Sequence, residues 1–451
     1  VLISDMLIRS ASGLRGIVKD DFSSAMIDQY IASFISNQNI TSCVIGRDGR
    51  PSGKEISQWV IDALTKYGVN VDNCDLATTP TIQLMTEKDK YDGGIVITAS
   101  HNPTEYNGLK FLQKNGTFLS PDQCNTLFLT VDSKIVLNKA EVIGKVSAYS
   151  SGNEEHIAKV FSAKCIQSDA IRSKNFKVVI DAVNGGGSTI LPQLCKDLGC
   201  DITTINCNGD GNFTRVAEPL SSSLNDLEKK VVEVGADIGF ATDPDGDRLS
   251  IVSNKGVAIG EEYTLALATM NYCSGIDGKE VLVTNLSTSQ LTEDVVNASN
   301  NVLLRSKIGE ANVVELMEKN NANMGGEGNG GVILREVHLG RDSAVAIGMI
   351  LNLLTNIDKS INEIVAEMTN YHLIKDKIEL ADNNSFSIDT LATVFNCDEI
   401  NQLDGIKFIW KKEHKWVHIR KSNTEPIVRV FAEAETQEDA IELVNYLKNS
   451  L

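Results

Sequence analysis

The sequence predicts an α/β protein in which three similar α/β domains precede a smaller α+β domain. Three segments repeat the order of apolar strand, amphipathic helix and second strand that is typical of a βαβ unit. The last segment instead contains strands at hairpin spacing followed by one helix. The length of 451 residues also favours several domains, at ~150 residues per domain.

The strands of the three βαβ-like segments are continuous runs of apolar and β-branched residues. Such strands are typical of parallel sheets that are covered on both faces. The predicted strand, helix and second strand span 42–48, 53–67 and 69–71 in the first segment, 177–181, 188–198 and 201–205 in the second, and 280–284, 290–298 and 301–304 in the third.

The C-terminal segment has a different pattern. Strands are predicted at 405–410, 415–420 and 427–432, before a helix at 437–449. The short connections favour an antiparallel sheet, which an α+β domain covers with its helix. We therefore divide the chain into predicted domains at 1–145, 146–255, 256–368 and 369–451.

Composition limits the partners and the location of the protein. Its net charge is -18, whereas nucleic acids and anionic membranes bind basic surfaces, so we expect neither as a partner. The nine cysteines include no Cys-x-x-Cys pair, which favours reduced thiols. No leader pattern opens the sequence, and the longest apolar run, 344–354, is shorter than the ~18 residues of a membrane span. We expect a cytoplasmic protein.

A cluster of carboxylates follows the predicted strand at 236–242. Asp243, Asp245 and Asp247 alternate within five residues, and in a tight loop they can converge on one hard divalent ion. Oxygen ligands with room for a phosphate favour Mg²⁺. A calcium EF-hand fits poorly, because Arg248 stands where that loop needs glycine. The alternative is a solvated acidic turn.

A serine lies just after another predicted strand, at 93–97. Ser100 is flanked by small and polar residues, so its hydroxyl can be presented to a ligand. The alternative is a helix cap or an ordinary turn. The sequence around Ser100 lacks the Gly-x-Ser-x-Gly pattern of a hydrolase elbow, which gives a hydrolase triad little support.

Two further loops carry residues that suit a sugar phosphate. The segment 420–426, with Arg429 beyond it, combines cations, hydroxyls and an amide, as a phosphate dianion requires; a polar hairpin turn is the alternative. The segment 325–331 is rich in glycine, and its Glu327 and Asn329 could bind sugar hydroxyls. We predict no strand before this segment, so a dinucleotide site is not expected, and a flexible surface loop is the alternative.

Together, and in this order, the four motifs resemble the α-D-phosphohexomutase superfamily over essentially the whole chain. The segments 12–16, 46–48 and 107–110 add to the resemblance. The resemblance implies four domains around a central active-site cleft, each contributing one loop. It also implies one Mg²⁺ per chain, a hexose phosphate substrate and a hexose 1,6-bisphosphate that primes the enzyme.

The resemblance assigns a role to each motif. Ser100 matches the phosphorylated serine, and its phosphate would contact a metal held by Asp243, Asp245 and Asp247. Glu327 matches the contact to the sugar hydroxyls, with Asn329 in the same loop. The residues that match the loop holding the phosphate that is not transferred are Arg420, Ser422, Asn423, Thr424 and Arg429. The basic residues that match those near the reacting phosphate are Arg15, Lys110 and Arg248.

The sequence departs from the family pattern at two places that affect proton transfer and substrate choice. In many members the glycine-rich loop that contacts the sugar, here 325–331, ends in a histidine that is discussed as a proton acceptor. This chain has Gly331 there, so the candidate general bases are Lys110, His101 and Glu310. The 308–311 segment looks closer to the phosphoglucosamine branch, and Glu310 could bind a protonated 2-amino group. We therefore favour glucosamine phosphate as substrate, with a phosphomannomutase/phosphoglucomutase of broad specificity as the alternative.

Two other classes of protein explain less of the sequence. The 243–246 segment also resembles the loop of haloacid-dehalogenase-type phosphatases, in which the first aspartate is phosphorylated. That reading leaves Ser100 and the C-terminal loop without a role. A non-catalytic sugar-phosphate binder would not require Ser100 together with all three aspartates.

Overall fold

The computed structural model describes residues 7–10, 12–379, 395–421 and 427–450. These residues form four sheets, and the predicted α/β architecture with a C-terminal α+β unit is confirmed. We call the four sheets with their helices the first to fourth units.

The first unit contains a seven-stranded mixed sheet. Its elements are β1 (Ile8–Ser10), β2 (Gly13–Ile17), α1 (Val18–Asp21), α2 (Ser24–Gln38), β3 (Ser42–Arg47), α3 (Gly53–Lys66), β4 (Asn70–Leu76), α4 (Thr79–Thr86), β5 (Gly93–Ile97), β6 (Tyr106–Gln113), α5 (Pro121–Asp132) and β7 (Val146–Ala148). The strand order is β1-β2-β6-β5-β3-β4-β7, with β3, β4, β5 and β7 parallel.

The second unit has a four-stranded sheet in which β8 pairs in parallel with β9 and β10, and β11 closes one edge in antiparallel fashion. Its elements are α6 (Gly152–Phe161), α7 (Ser168–Arg172), β8 (Lys177–Asp181), α8 (Gly187–Asp197), β9 (Asp201–Ile205), α9 (Asn225–Val234), β10 (Ile238–Thr242) and β11 (Leu249–Ser253). A 3-10 turn at Ser221–Ser223 precedes α9.

The third unit repeats this plan, with β12 parallel to β13 and β14, and β15 antiparallel at the edge. Its elements are α10 (Glu261–Ser274), β12 (Val281–Asn285), α11 (Gln290–Ala298), β13 (Val302–Ser306), α12 (Glu310–Lys319), β14 (Met324–Glu327), β15 (Gly331–Leu334), α13 (Ser343–Asn356) and α14 (Ile361–Ala366).

The fourth unit is a five-stranded antiparallel sheet with α15 packed against it, as the hairpin spacing predicted. Its elements are β16 (His372–Glu379), β17 (Glu399–Asn401), β18 (Ile406–Trp410), β19 (Lys415–Lys421), β20 (Ile427–Ala434) and α15 (Gln437–Ser450).

One sequence expectation is wrong. A strand does lead into the glycine-rich segment, because β14 includes Gly325, Gly326 and Glu327. Glycine has a low strand propensity, so the segment does not read as a strand. The packing explains the glycine at position 325, where a β-carbon would overlap the sulfur of Met317 and the carbonyl of Val283.

The second and third units share one hydrophobic core. A single cluster of buried side chains runs from Ile157 on α6 to Ile364 on α14. Helix α13 lies at its centre, and nearly all of its residues are buried. Among the described residues, no helix combines the length and apolar content required to cross a membrane.

Helix α4 of the first unit connects to both neighbouring units through hydrogen bonds. Every residue of this helix is buried. The hydroxyl of Thr79 donates to Asp245 over 2.6 Å, and that of Thr81 lies 2.9 Å from Nδ1 of His156. The amide of Gln83 donates to Glu310 over 3.1 Å. The three contacts tie α4 to the loop after β10, to α6 and to α12.

Candidate active site

The loops after β5, β10 and β14 lie close together around the candidate active site. Ser100 follows β5, Asp243 follows β10, and Glu327 ends β14. The carboxyl ends of parallel strands are the usual ligand edge of an α/β sheet. The hydroxyl of Ser100 lies 3.4 Å from Oδ2 of Asp243, although 143 residues separate them in sequence.

The three clustered aspartates are completely buried, and each has one oxygen held by the protein. Oδ1 of Asp243 accepts backbone N–H bonds from Asp247 and Arg248, at 3.1 and 3.2 Å. Lys110 donates to Oδ2 of Asp245 over 2.7 Å, beside the Thr79 contact.

The remaining carboxylate oxygens of these aspartates accept few hydrogen bonds from protein donors. Oδ1 of Asp245 and Oδ1 of Asp247 are buried and accept no hydrogen bond. Asp243, Asp245 and Asp247 each offer an oxygen, and these atoms lie within 4.8 Å of one another. Buried carboxylate oxygens without donors are costly unless a cation binds them. The set therefore fits a hard divalent ion such as Mg²⁺.

The electrostatics of the cluster agree with this fit. Burial, and then the charges of Asp247 and Asp245, raise the pKa of Asp243 well above its usual range. Burial would lower the pKa of Lys110, but Asp245 and Asp247 more than offset it and raise that pKa. Lys110 is therefore a charged partner of the aspartates, which makes it unsuitable as a proton acceptor.

A group of cations surrounds Ser100. Arg15 donates to Asn102 over 2.9 Å, and Arg248 pairs with Glu218. Burial, followed by the charges of Arg248 and Arg429, lowers the pKa of Arg15. Cations that lower the pKa of Arg15 lie close to it, and such a grouping is what an anion requires.

His101 lies beside Ser100, with Nδ1 3.4 Å from the serine hydroxyl. The charge of Arg248, burial and the charge of Arg15 lower the pKa of His101 to about 2. The ring is therefore neutral at physiological pH and can accept a hydrogen bond at one nitrogen, but a pKa this low makes it a weak base.

Arg341, which sequence reasoning missed, connects three acidic residues. Its guanidinium donates to Asp247 over 2.5 Å, to Glu327 over 2.8 Å and to Glu310 over 2.9 Å. It also explains Gly331, because a β-carbon there would overlap Cδ of Arg341. The aliphatic part of the Arg341 side chain thus occupies the space beside Gly331, the position at which many family members have histidine.

Glu327 is buried and Asn329 is half-buried, and contacts within the third unit hold Glu327 in place. Besides Arg341, Glu327 accepts from Asn285 over 2.7 Å and from the backbone of Gly309 over 3.0 Å. Asn329 lies in the turn after β14, and its Oδ1 is buried without a hydrogen-bond partner. Arg341 and Gln83 hold both oxygens of Glu310, so this carboxylate belongs to the wall of the cleft.

The predicted phosphate loop is described only at its two ends. Arg420 on β19 and Arg429 on β20 are directly opposite each other in the antiparallel pair. Like charges at paired positions are destabilising by themselves, so this arrangement suits an anion between the strands. The Nε of Arg420 is buried without a hydrogen bond, and it lies 3.7 Å from Oδ1 of Asp404, with which Arg420 forms an ion pair. Ser422, Asn423 and Thr424 lie outside the described residues.

Models of four successive phosphoglucomutase/phosphomannomutase domains match the chain. The α/β/α domains I, II and III match residues 6–134, 154–256 and 260–371, and the C-terminal domain matches 386–449.

Individual relatives cover most of the chain. It is 34% identical over 408 residues to the phosphoglucomutase/phosphomannomutase of Thermococcus kodakarensis, with 88% of this chain and 87% of that protein covered. It is 32% identical over 426 residues to the phosphoglucosamine mutase of Methanococcus maripaludis strain C7, with 92% and 93% covered. The fold is similar to the crystal structure of a phosphoglucomutase/phosphomannomutase family protein from Burkholderia thailandensis, with a TM-score of 0.84 at 24% identity and coverage of 100% and 98%. The chain therefore belongs to the phosphoglucomutase/phosphomannomutase family of the α-D-phosphohexomutase superfamily, whose members are isomerases that move a phosphoryl group within a hexose phosphate.

Proposed function

We propose that this protein interconverts hexose 6-phosphate and hexose 1-phosphate through a phosphorylated Ser100. The observation that carries the proposal is the contact of 3.4 Å between the Ser100 hydroxyl and Asp243. It brings a potential phosphoryl carrier to a cluster of carboxylate oxygens that suits a divalent ion. Ser100 is the serine to which the proposal assigns the role of phosphoryl carrier.

Asp243, Asp245 and Asp247 would hold one Mg²⁺, together with an oxygen of the phosphorylated Ser100. When bound, the ion neutralises charge on the transferring phosphoryl group. Lys110 donates to Oδ2 of Asp245, and Arg341 donates to Oδ2 of Asp247. Oδ1 of each aspartate would then bind the ion.

The cations of the cleft would bind the two phosphates of the substrate. Arg15 and Arg248 lie near Ser100 and would contact the phosphate that reacts. Arg420 and Arg429, with Ser422, Asn423 and Thr424, would bind the phosphate that stays in place. Glu327 and Asn329 would bind sugar hydroxyls between them.

Transfer then takes place in two steps. The free hydroxyl of the hexose phosphate attacks phosphoserine, its O–P bond forms as the bond to Ser100 breaks, and hexose 1,6-bisphosphate results. The bisphosphate turns end for end and the hydroxyl of Ser100 attacks its other phosphorus. The bond from that phosphorus to the sugar oxygen breaks, so phosphoserine is regenerated and the isomeric hexose monophosphate is released. The proton that the hydroxyl loses is balanced by the one that the leaving oxygen of Ser100 gains. We infer that His101, beside Ser100, relays it, because Lys110 is charged and Glu310 is held by Arg341 and Gln83. The pKa of about 2 lets the His101 ring hold this proton only transiently.

We propose glucosamine phosphate as the preferred substrate, with a broad mannose and glucose phosphate mutase as the alternative. The relatives named above carry both kinds of name. A contact between Glu310 and a 2-amino group would have to share oxygens that Arg341 and Gln83 already hold. A cytoplasmic location and the lack of nucleic-acid and membrane partners remain predictions from composition.

Phosphorylation of Ser100 is the direct test. After incubation with hexose 1,6-bisphosphate and Mg²⁺, mass spectrometry should locate one phosphate on Ser100, and Ser100→Ala should lose both phosphate and turnover. Ser133→Ala, at an exposed serine, is the control. Phosphate on Asp243 would instead support the phosphatase reading, and an inactive, unphosphorylated wild type would refute the proposal.

Substrate choice is tested by kcat/KM for glucosamine, mannose and glucose phosphates. We expect the highest value for glucosamine phosphate. The lowest value for this substrate would refute the preference while leaving the mutase assignment intact.

A further inference from the structure

Arg50 is a fully buried arginine with no role in the site described so far. It lies in the turn between β3 and α3, and its side chain reaches the loop that contains Ser100. The face of its guanidinium is covered by the ring of Phe213 from the second unit, 5.0 Å away. Burial of a cation requires partners for its donors.

All five N–H donors of this guanidinium have partners. Nε donates to Asp48 over 3.0 Å. The other four donate to four backbone carbonyls of the serine loop, those of Ser100 at 2.7 Å, Asn102 at 2.6 Å, Pro103 at 2.5 Å and Tyr106 at 3.0 Å.

A second connection reaches the same loop from Asp48. The Thr98 hydroxyl donates to Asp48 over 2.7 Å and accepts the backbone N–H of Ser100 over 2.8 Å. Asp48 also accepts the backbone N–H of Arg50 over 2.9 Å. The backbone of Ser100 is therefore held at its N–H through Thr98 and at its carbonyl by Arg50.

The loop needs such restraint because of its backbone. Ser100 has a φ of +50°, in the left-handed region that residues other than glycine rarely adopt. Such a conformation costs free energy and persists only where the surroundings enforce it. In this conformation the Ser100 hydroxyl faces Asp243.

We propose that Arg50 is a positioning residue for phosphoryl transfer, which fixes the Ser100 loop so that the hydroxyl faces the aspartate cluster. The proposal rests on Ser100 being the phosphoryl carrier. It requires a planar fork of five donors, which a lysine ammonium, with three donors at one point, does not reproduce.

The test compares Arg50→Lys with Arg47→Lys in the full chain. Arg47 is a buried neighbour at the end of β3. Its Nε pairs with Asp75 at the surface and its Nη1 donates to the backbone carbonyl of Asp48, so these donors do not reach the serine loop. The measured quantities are the rate of Ser100 phosphorylation by hexose 1,6-bisphosphate, kcat, the KM for hexose phosphate and the Mg²⁺ affinity by calorimetry.

For Arg50→Lys we expect the phosphorylation rate and kcat to fall by at least about tenfold, while KM and Mg²⁺ affinity stay within about twofold. Arg47→Lys should keep all four values within about twofold of wild type. If Arg50→Lys fails to fold, Thr98→Val is the second variant. It removes one hydroxyl from the same restraint, and it should also lower the rate of Ser100 phosphorylation.

The outcomes separate this proposal from the proposed function. If wild type is phosphorylated at Ser100 and both Arg50→Lys and Thr98→Val react at its rate, only the positioning role is wrong. If Arg50→Lys changes KM and Mg²⁺ affinity as much as kcat, the arginine has a general structural role and the proposal is also wrong. If wild-type Ser100 takes no phosphate, the proposed function itself fails.

Discussion

Glu310 offers a quantitative test of the buried charge network, through the pH dependence of stability. Burial, only partly offset by Arg341, raises the pKa of Glu310 from 4.5 to about 7. Between these values the folded protein keeps a proton that the unfolded chain has lost, so stability decreases as the pH rises through this window. The difference in pKa corresponds to about 3 kcal/mol of the free energy of unfolding. About 2.5 kcal/mol of this stabilisation is lost between pH 5 and pH 8.

Replacing Glu310 with glutamine should remove this contribution. Gln83 can accommodate the amide, because its own Oε1 is buried without a partner and can accept the new N–H. Melting temperatures between pH 5 and pH 8 should fall less for Glu310→Gln than for wild type, by about 3 °C, because the entropy of unfolding of 451 residues is about 0.9 kcal/mol/K. Glu318→Gln, at an exposed site on the same helix, should behave as wild type. Equal pH dependence in wild type and Glu310→Gln would refute the reasoning.

Three further changes test other parts of the cleft. Asp245→Asn should raise the Mg²⁺ concentration for half-maximal turnover by at least about tenfold, and EDTA should abolish wild-type turnover; full activity in chelator would contradict the metal site. Arg420→Ala should raise the KM for hexose phosphate by the equivalent of about 1.5–3 kcal/mol, and an unchanged KM would show that the phosphate binds elsewhere. Arg341→Met should destabilise the protein by about 3–5 kcal/mol in denaturation experiments, since it leaves three buried carboxylates without their shared cation; a loss below about 1 kcal/mol would contradict this bridge.

The regular elements of the fold were predictable because their patterns are local. The predicted strands at 177–181 and 201–205 coincide with β8 and β9, and the predicted helix at 290–298 coincides with α11. Apolar runs and helical periodicity are properties of neighbouring residues. Strand β14 was missed because Gly325 is required for close packing against Met317, which no local pattern reveals.

The residues that hold the site in place were harder to predict than those proposed to carry out its chemistry. Ser100 and Asp243 stand in short motifs that a reader of the sequence can find. Arg341 meets Asp247 across 94 residues, and Arg50 meets Ser100 across 50. Their partners are set by tertiary packing, so the only local signal for Arg341 is a glycine at position 331.

The three hydrogen bonds of helix α4 limit how this enzyme can be recombined with its relatives. Thr79, Thr81 and Gln83 each contact a different segment of the second and third units. A chimera that exchanges the third unit alone would place a foreign residue opposite Gln83, and one that exchanges the second would do so opposite Thr79 and Thr81. Crossovers that keep α4 with its partners should therefore yield active proteins more often than crossovers at the unit boundaries.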